Sequence, residues 1–169
     1  FPDEHVTKVR YNFDAFKRQN WSLEHIFPQT PEGKGQILSE LQKQSIRDLI
    51  GETDEEIDRI LELPSRTEEE RKVYEDALSK SGYIHNIGNI CLLSSSDNSA
   101  LGNLFFQGKR DEVMRRIQSG SFVPKHTFDV FSKMISGVGG DLSQWSSADI
   151  KAHAVYIEEV LEKRMETES

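Results

Sequence analysis

Two short segments of the chain carry side chains whose types and spacing suit hydrolytic chemistry. The first has Glu24 directly before His25, and the second has Asn89 after a glycine, with Asn98 nine residues further on. An imidazole titrates near neutral pH, so His25 suits the removal of a proton from water. Carboxylate and amide oxygens are the ligands that hard cations such as Mg²⁺ prefer. Together these groups predict hydrolysis of a phosphodiester bond, provided that the two segments meet in the fold.

Each of the four residues has an expected role in that chemistry. His25 is the predicted general base, and Glu24 and Asn98 are the predicted ligands of one divalent cation, Mg²⁺ or Mn²⁺. Asn89 is expected to bond the loop across from His25 and so to fix the orientation of the ring. Neighbouring residues of a strand point to opposite faces, so Glu24 and His25 share a site only where the strand ends or bulges. Pro28, three residues after His25, favours an end of the strand there.

The elements that must position these residues are two short strands separated by helices. Residues 21–26 and 90–93 fit short strands, whereas the apolar residues between them recur at the period of a helix. Residues 34–80 therefore predict a helical insert, with Gly51 and Pro64 as breaks between its helices. The expected helices and their capping boxes are 54–62 with Thr53 and Glu56, and 68–80 with Thr67 and Glu70.

The chain after the second strand predicts further helices. The serines before Asp97 are a helix-start signal, and Ser146 with Asp149 forms another capping box. The segment before Trp21 fits a helix and a strand equally well. The helices expected here are 99–106, 109–119 and a C-terminal helix, 145–165, that turns Ile150, Ile157, Val160 and Leu161 inward.

Two strands this short do not form a stable sheet alone, and a hairpin of them needs a helix packed against it. The expected fold class is therefore α+β and mostly helical. Its core is a two-stranded hairpin plus a helix, framed by helices, with the helical insert between the strands. We expect one domain, 1–169, that forms the C-terminal part of a longer protein, since the chain begins with Phe1 rather than Met.

Composition and charge narrow the classes of protein and partner. An apolar fraction of 36% and a charged fraction of 30% fit a globular domain. The single cysteine, Cys91, excludes an internal disulfide and the paired cysteines of a zinc knuckle, and it favours a cytoplasmic setting. No apolar run is long enough to span a bilayer, so a membrane is not an expected partner. The oligomeric state stays open.

The net charge of -8 is unusual for a protein that meets nucleic acid, but the charge is unevenly distributed. Residues 52–76 hold eleven acidic and four basic residues, which accounts for most of the excess. Residues 100–125 hold five basic and two acidic residues. One face therefore repels phosphate while another attracts it, and a DNA substrate is not excluded.

These motifs resemble the HNH, or ββα-metal, nuclease family. The resemblance is more detailed to the C-terminal HNH domain of GmrSD-type, modification-dependent restriction enzymes of phage defence, and it spans about residues 10–162. That family's pattern is matched by Glu24–Gln29, Gly88–Leu93, Asn98, Asn103 and Phe106–Lys109.

The resemblance implies a metal-dependent DNA endonuclease of the bacterial cytoplasm. It gives His25 the role of general base, Asn98 that of metal ligand and Asn89 that of the loop-fixing residue. Glu24 takes a ligand position that is more often aspartate in the wider family. The resemblance also implies an N-terminal, nucleotide-hydrolysing domain outside this chain. The residues expected to hold phosphate are Lys109, Asn103 and Arg110.

Two alternatives remain open at this point. A binding module could keep the fold and grip DNA or a protein without cutting, and an RNase or toxin nuclease would share the chemistry on another substrate. The other histidines have simpler interpretations. His85 could approach the site as a supporting residue, His153 fits a packed core histidine, and His5 and His126 fit surface positions.

Overall fold

The two reactive segments lie side by side as neighbouring strands. In the computed structural model, which describes residues 13–33 and 36–168 except the side chains of residues 13, 15, 16 and 98–100, helix α1 (Phe13–Arg18) leads into strand β1 (Trp21–His25). Strand β2 (Ile90–Ser94) pairs with β1 in antiparallel register, with Glu24 opposite Cys91 and His25 opposite Ile90. The expectations for residues 1–12, including a surface position for His5, lie outside the described residues.

Three helices form the insert between the strands, as the apolar periodicity predicts. They are α2 (Glu40–Ile50), α3 (Glu55–Glu62) and α4 (Glu68–Lys80). The capping box at the start of α4 is confirmed, because the hydroxyl of Thr67 accepts from the Glu70 amide and the Glu70 carboxylate accepts from the Thr67 amide.

The expected capping box at the start of α3 is wrong by one residue. The cap is Asp54, whose carboxylate accepts from the amide of Ile57 at 2.8 Å. The hydroxyl of Thr53 instead donates to the Asp58 carboxylate. Aspartate and threonine are both favoured at the N-cap of a helix, and in α3 the aspartate occupies that position.

A buried ion pair fastens this insert to the chain just after β1. The Arg66 guanidinium donates to the Glu32 carboxylate at 2.6 Å, and the hydroxyl of Tyr74 donates to the same oxygen at 2.9 Å. Arg66 also donates to the carbonyl oxygens of Ile60, Leu61 and Leu63. The side chains of Glu32, Arg66 and Tyr74 therefore each have a buried hydrogen-bond partner, which is the condition under which such burial is tolerated.

The helices after β2 differ from the expected positions. The helix expected at 99–106 is α5 (Ser95–Leu101), which follows the strand directly because the hydroxyl of Ser94 accepts from the amide of Asp97. The helix expected at 109–119 begins earlier, as α6 (Phe106–Gln118), and α7 (Lys125–Ser132) was not expected. The mostly helical α+β fold is nevertheless confirmed.

The C-terminal helix α8 (Ser147–Glu168) begins at its expected capping box, where Ser146 and Asp149 exchange hydrogen bonds. Its first turns pack inward, and Ile150 is fully buried. The inward orientation expected for Val160 and Leu161 is wrong, since they are 41% and 54% exposed. A 22-residue helix extends about 33 Å and runs past the core that its first half covers. No helix among the described residues has both the length and the apolar character to cross a membrane.

A glycine lets the turn before β2 lie directly against α8. The turn is a 3-10 helix (Ile87–Asn89), and its Gly88 carbonyl accepts from the Trp145 indole at 3.2 Å. The same carbonyl lies 2.8 Å from Nδ1 of His153. A Cβ atom on Gly88 would lie 1.9 Å from the carbonyl oxygen of Ile150, so no larger residue fits without moving the helix.

Gly88→Ala should lower the free energy of unfolding by about 3 kcal/mol or more, because the new methyl group clashes with backbone rather than with a movable side chain. Urea unfolding of the purified variant measures this loss. The matched control is Gly140→Ala, where an added Cβ meets no atom within 4 Å. Equal losses for the two variants would contradict the close packing of the turn against α8.

Candidate functional site

The buried side chain of Asn89 joins the segment after β1 to the turn before β2. Asn89 is fully buried; its Oδ1 accepts from the Phe27 amide at 2.7 Å, and its Nδ2 donates to the Phe27 carbonyl at 3.1 Å. Nδ2 also donates to the Ile84 carbonyl at 3.0 Å. The backbone carbonyl of Asn89 accepts from the amide of Ile26. These contacts join the backbone just after His25 to the turn that precedes β2.

His25 ends strand β1, and its half-buried ring faces a second histidine. Nε2 of His25 lies 3.3 Å from Nδ1 of His85, and the ring centroids are 5.3 Å apart. Burial lowers the pKa of His25, and the nearby His85 and Lys109 lower it further. A lowered pKa keeps the imidazole neutral at pH 7, which is the form that can accept a proton.

Glu24 faces the other side of the strand and is bound to a lysine. It is 6% exposed, and the ammonium of Lys109 donates to its Oε1 at 2.6 Å and also to the carbonyl oxygen of His25. Burial raises the pKa of Glu24 while the Lys109 charge opposes that rise. Burial likewise lowers the pKa of Lys109 against the effect of Glu24. Because β1 remains regular through His25, Glu24 and His25 do not share a face.

The contact between Glu24 and Lys109 therefore engages two side chains for which the sequence predicts other partners. Lys109, expected at a phosphate, is 1% exposed, and Glu24, expected at a metal, has its oxygen bound to that lysine. Eighty-five residues separate the two in sequence. No local pattern indicates such a contact. Within the part of the chain that the structure describes, no group of three or more His, Cys, Asp or Glu residues is arranged to hold a metal ion.

The remaining expected site residues lie on the helices after β2. Asn98 belongs to α5, which contacts both strands, but its side chain is outside the described residues. Asn103 is exposed, and its Oδ1 accepts from the hydroxyl of Thr30 at 3.1 Å. The Arg110 side chain is 28% exposed, and its Nη1 lies 3.8 Å from the Asp111 carboxylate. Its Nε is buried and has no hydrogen-bond partner among the described residues. Asn103 and Arg110 are thus within reach of solvent, unlike Lys109.

A second pair of histidines lies behind the Gly88 turn. His153 is fully buried, as expected for a packed core histidine, and its Nε2 lies 2.9 Å from Nε2 of His126. The surface position expected for His126 is wrong, because its ring is half-buried and stacks on His153 with centroids 5.0 Å apart. Burial lowers the pKa of both rings.

The two lowered pKa values make stability depend on pH. The unfolded chain, with a histidine pKa of about 6.5, binds more protons than the native state once the pH falls below that value. The contribution of these two histidines to the free energy of unfolding should therefore be level above pH 7 and fall between pH 6.5 and pH 5. Urea unfolding at several pH values measures this slope. Because His25 contributes in the same direction, the comparison is with His126→Gln, whose slope should be shallower. An unchanged slope would contradict the prediction.

The Glu24–Lys109 pair should show strong coupling in a double-mutant cycle. Glu24→Gln leaves a buried ammonium and Lys109→Met leaves a buried carboxylate, so each should cost about 3 kcal/mol or more in unfolding free energy. The double variant removes both charges and should cost clearly less than the sum. Urea unfolding of wild type, the two single variants and the double variant gives the coupling free energy. Losses that simply add in the double variant would contradict an interaction between Glu24 and Lys109.

The sequence of this chain matches the model of a known protein family. The model of the family described as GmrSD restriction endonucleases, C-terminal domain, matches residues 4–160. Comparisons with curated proteins and with solved structures gave no match. The matched range includes both strands, the insert between them, the Asn89 turn and the start of α8. The chain therefore belongs to the family of C-terminal domains of GmrSD restriction endonucleases.

Proposed function

We propose that this domain is a DNA endonuclease of the HNH type, in which His25 is the general base that takes a proton from the attacking water. The observation that carries the proposal is the position of His25 at the end of β1, next to the turn that Asn89 holds. Burial there lowers the pKa of its ring, which favours the form that accepts a proton. Membership in a restriction endonuclease family supports hydrolysis of a phosphodiester bond.

The backbone around His25 is held from two sides, which suits a base that must keep its position. The Lys109 ammonium binds the carbonyl of His25, and the carbonyl of Asn89 binds the amide of Ile26, the next residue. Correct placement of a reacting group contributes strongly to rate, since a shift of about 1 Å can cost on the order of 10²-fold. In this proposal Asn89 and Lys109 act through the position of His25.

A divalent cation, Mg²⁺ or Mn²⁺, would supply positive charge to the phosphate when bound. Glu24 does not fit as its ligand, because its carboxylate is buried and bound to Lys109. Asn98 remains the ligand that the sequence proposes. The role proposed for His25 does not require Glu24 to bind the metal.

The proposed substrate is foreign or modified DNA in the bacterial cytoplasm, with an N-terminal, nucleotide-hydrolysing domain of the same protein as partner. Asn103 and Arg110 remain candidates for contact with phosphate because both reach solvent. Lys109 is not proposed to contact phosphate, because its side chain is buried.

The test is cleavage of supercoiled plasmid by the purified domain with Mn²⁺, followed as conversion to open-circle and linear DNA. Wild type should cut, and His25→Ala should lose about 10²–10⁴-fold in rate. Asn98→Ala should also lose activity. The control is Gln44→Ala, an exposed position on α2, which should cut as wild type does.

The proposal is wrong if His25→Ala, shown by circular dichroism to be folded, cuts as fast as wild type. Binding of the plasmid without cleavage would instead favour the binding module. The same assay with single-stranded RNA separates the DNA endonuclease from an RNase.

A further inference from the structure

The contact between His25 and His85 specifies which nitrogen of His25 is engaged. The atom that meets Nδ1 of His85 is Nε2, at 3.3 Å, and the two ring planes cross at 74°. In a hydrogen bond between two neutral imidazoles, one nitrogen carries the proton and the other accepts it. The contact therefore couples the tautomers of the two rings.

The backbone of both histidines is held by one side chain. Asn89 binds the amide and carbonyl of Phe27, two residues after His25, and the carbonyl of Ile84, directly before His85. On the other side of His85, the carboxamide of Asn86 accepts from the amide of Gly88 and starts the 3-10 turn. His85 is thus presented to His25 by a fixed stretch of backbone, although its own side chain is exposed.

Only one direction of this hydrogen bond agrees with a basic His25. If His85 donated its proton, Nε2 of His25 would be the acceptor and its Nδ1 would carry the ring proton, so neither nitrogen would be open to water. If His25 donates from Nε2, its Nδ1 keeps a lone pair. When Nδ1 then gains a proton, the ring becomes a cation, and its hydrogen bond to His85 strengthens as charge-assisted bonds do.

We infer that His85 is a positioning residue, which accepts a hydrogen bond from Nε2–H of His25 and thereby leaves Nδ1 of His25 as the nitrogen that takes the proton from water. This inference rests on the proposed function for its catalytic part. The hydrogen bond itself exists whether or not the domain cuts DNA. A neutral histidine here does what a carboxylate does behind the histidine of a hydrolytic triad: it sets the tautomer and steadies the imidazolium.

The first test is the tautomer of His25, read from the ring ¹⁵N chemical shifts at pH 8 in the wild-type domain. The signals are assigned by their loss in His25→Ala. Wild type should show the Nε2–H form, and His85→Ala should move His25 toward the mixture of tautomers of a free imidazole. The Nδ1–H form in wild type, or no change in His85→Ala, would overturn the inference.

The second test is the rate of plasmid cleavage by three variants. His85→Ala should lower kcat about tenfold with little change in KM, because the substrate contacts remain while the base loses its orientation. His85→Asn should recover most of the rate, since its Oδ1 lies near the position of the imidazole Nδ1 and can accept the same hydrogen bond. His126→Asn, the same substitution in the other histidine pair, should leave kcat near wild type.

The two tests separate failure of this inference from failure of the proposed function. A wild-type domain that does not cut, but whose His25 tautomer depends on His85, keeps the pairing and removes the nuclease assignment. A domain that cuts with His25 as base while His85→Ala retains full kcat and an unchanged tautomer keeps the nuclease assignment and overturns the role of His85.

Discussion

The carboxamide of Asn89 is the interaction on which the arrangement of this site depends. It is fully buried and makes three hydrogen bonds to backbone groups that would otherwise lack partners away from water. Burial of an unpaired amide or carbonyl costs about 1–3 kcal/mol, so the three contacts strongly favour one geometry over alternatives. An aspartate would offer no donor to the two carbonyls, and a leucine would offer neither donor nor acceptor. Only an amide of this length provides both functions at once.

The opposite face of β1 is organised by charge rather than by apolar packing. Glu24 points to the interior because its neighbour His25 points toward His85, and the alternation of a strand leaves no other choice. A carboxylate placed there needs a cation, and Lys109 from α6 supplies it while also binding the carbonyl of His25. The pair therefore links α6 to the strand end. Glu24, which the sequence predicts as a metal ligand, instead binds Lys109 in this structure, and the same lysine holds the backbone of His25.

Local signals in the sequence predicted the elements that depend on local physics. The capping boxes that begin at Thr67 and Ser146 each join residues three positions apart, so both partners of the interaction are visible in a short stretch of sequence. The Glu24–Lys109 pair could not be predicted in this way, because its members meet only after the chain has folded. The exposure of Val160 and Leu161 escaped prediction for a related reason. Periodicity shows that a helix has an apolar face, but it does not show how much of that face the rest of the chain covers.

The position of the helical insert has a consequence for how the hairpin assembles. Its two strands are joined through roughly 64 residues, and each doubling of a flexible loop adds about 0.6 kcal/mol to the entropic cost of closure. Relative to a four-residue loop, that is about 2.4 kcal/mol against strand pairing. The contact of Glu32 with Arg66 shortens the free chain by joining residues 34 positions apart. The insert should therefore fold before the strands meet. Strand pairing, which brings His25 opposite Ile90, is then a late event in folding. Helices that take no part in the chemistry reduce its entropic cost.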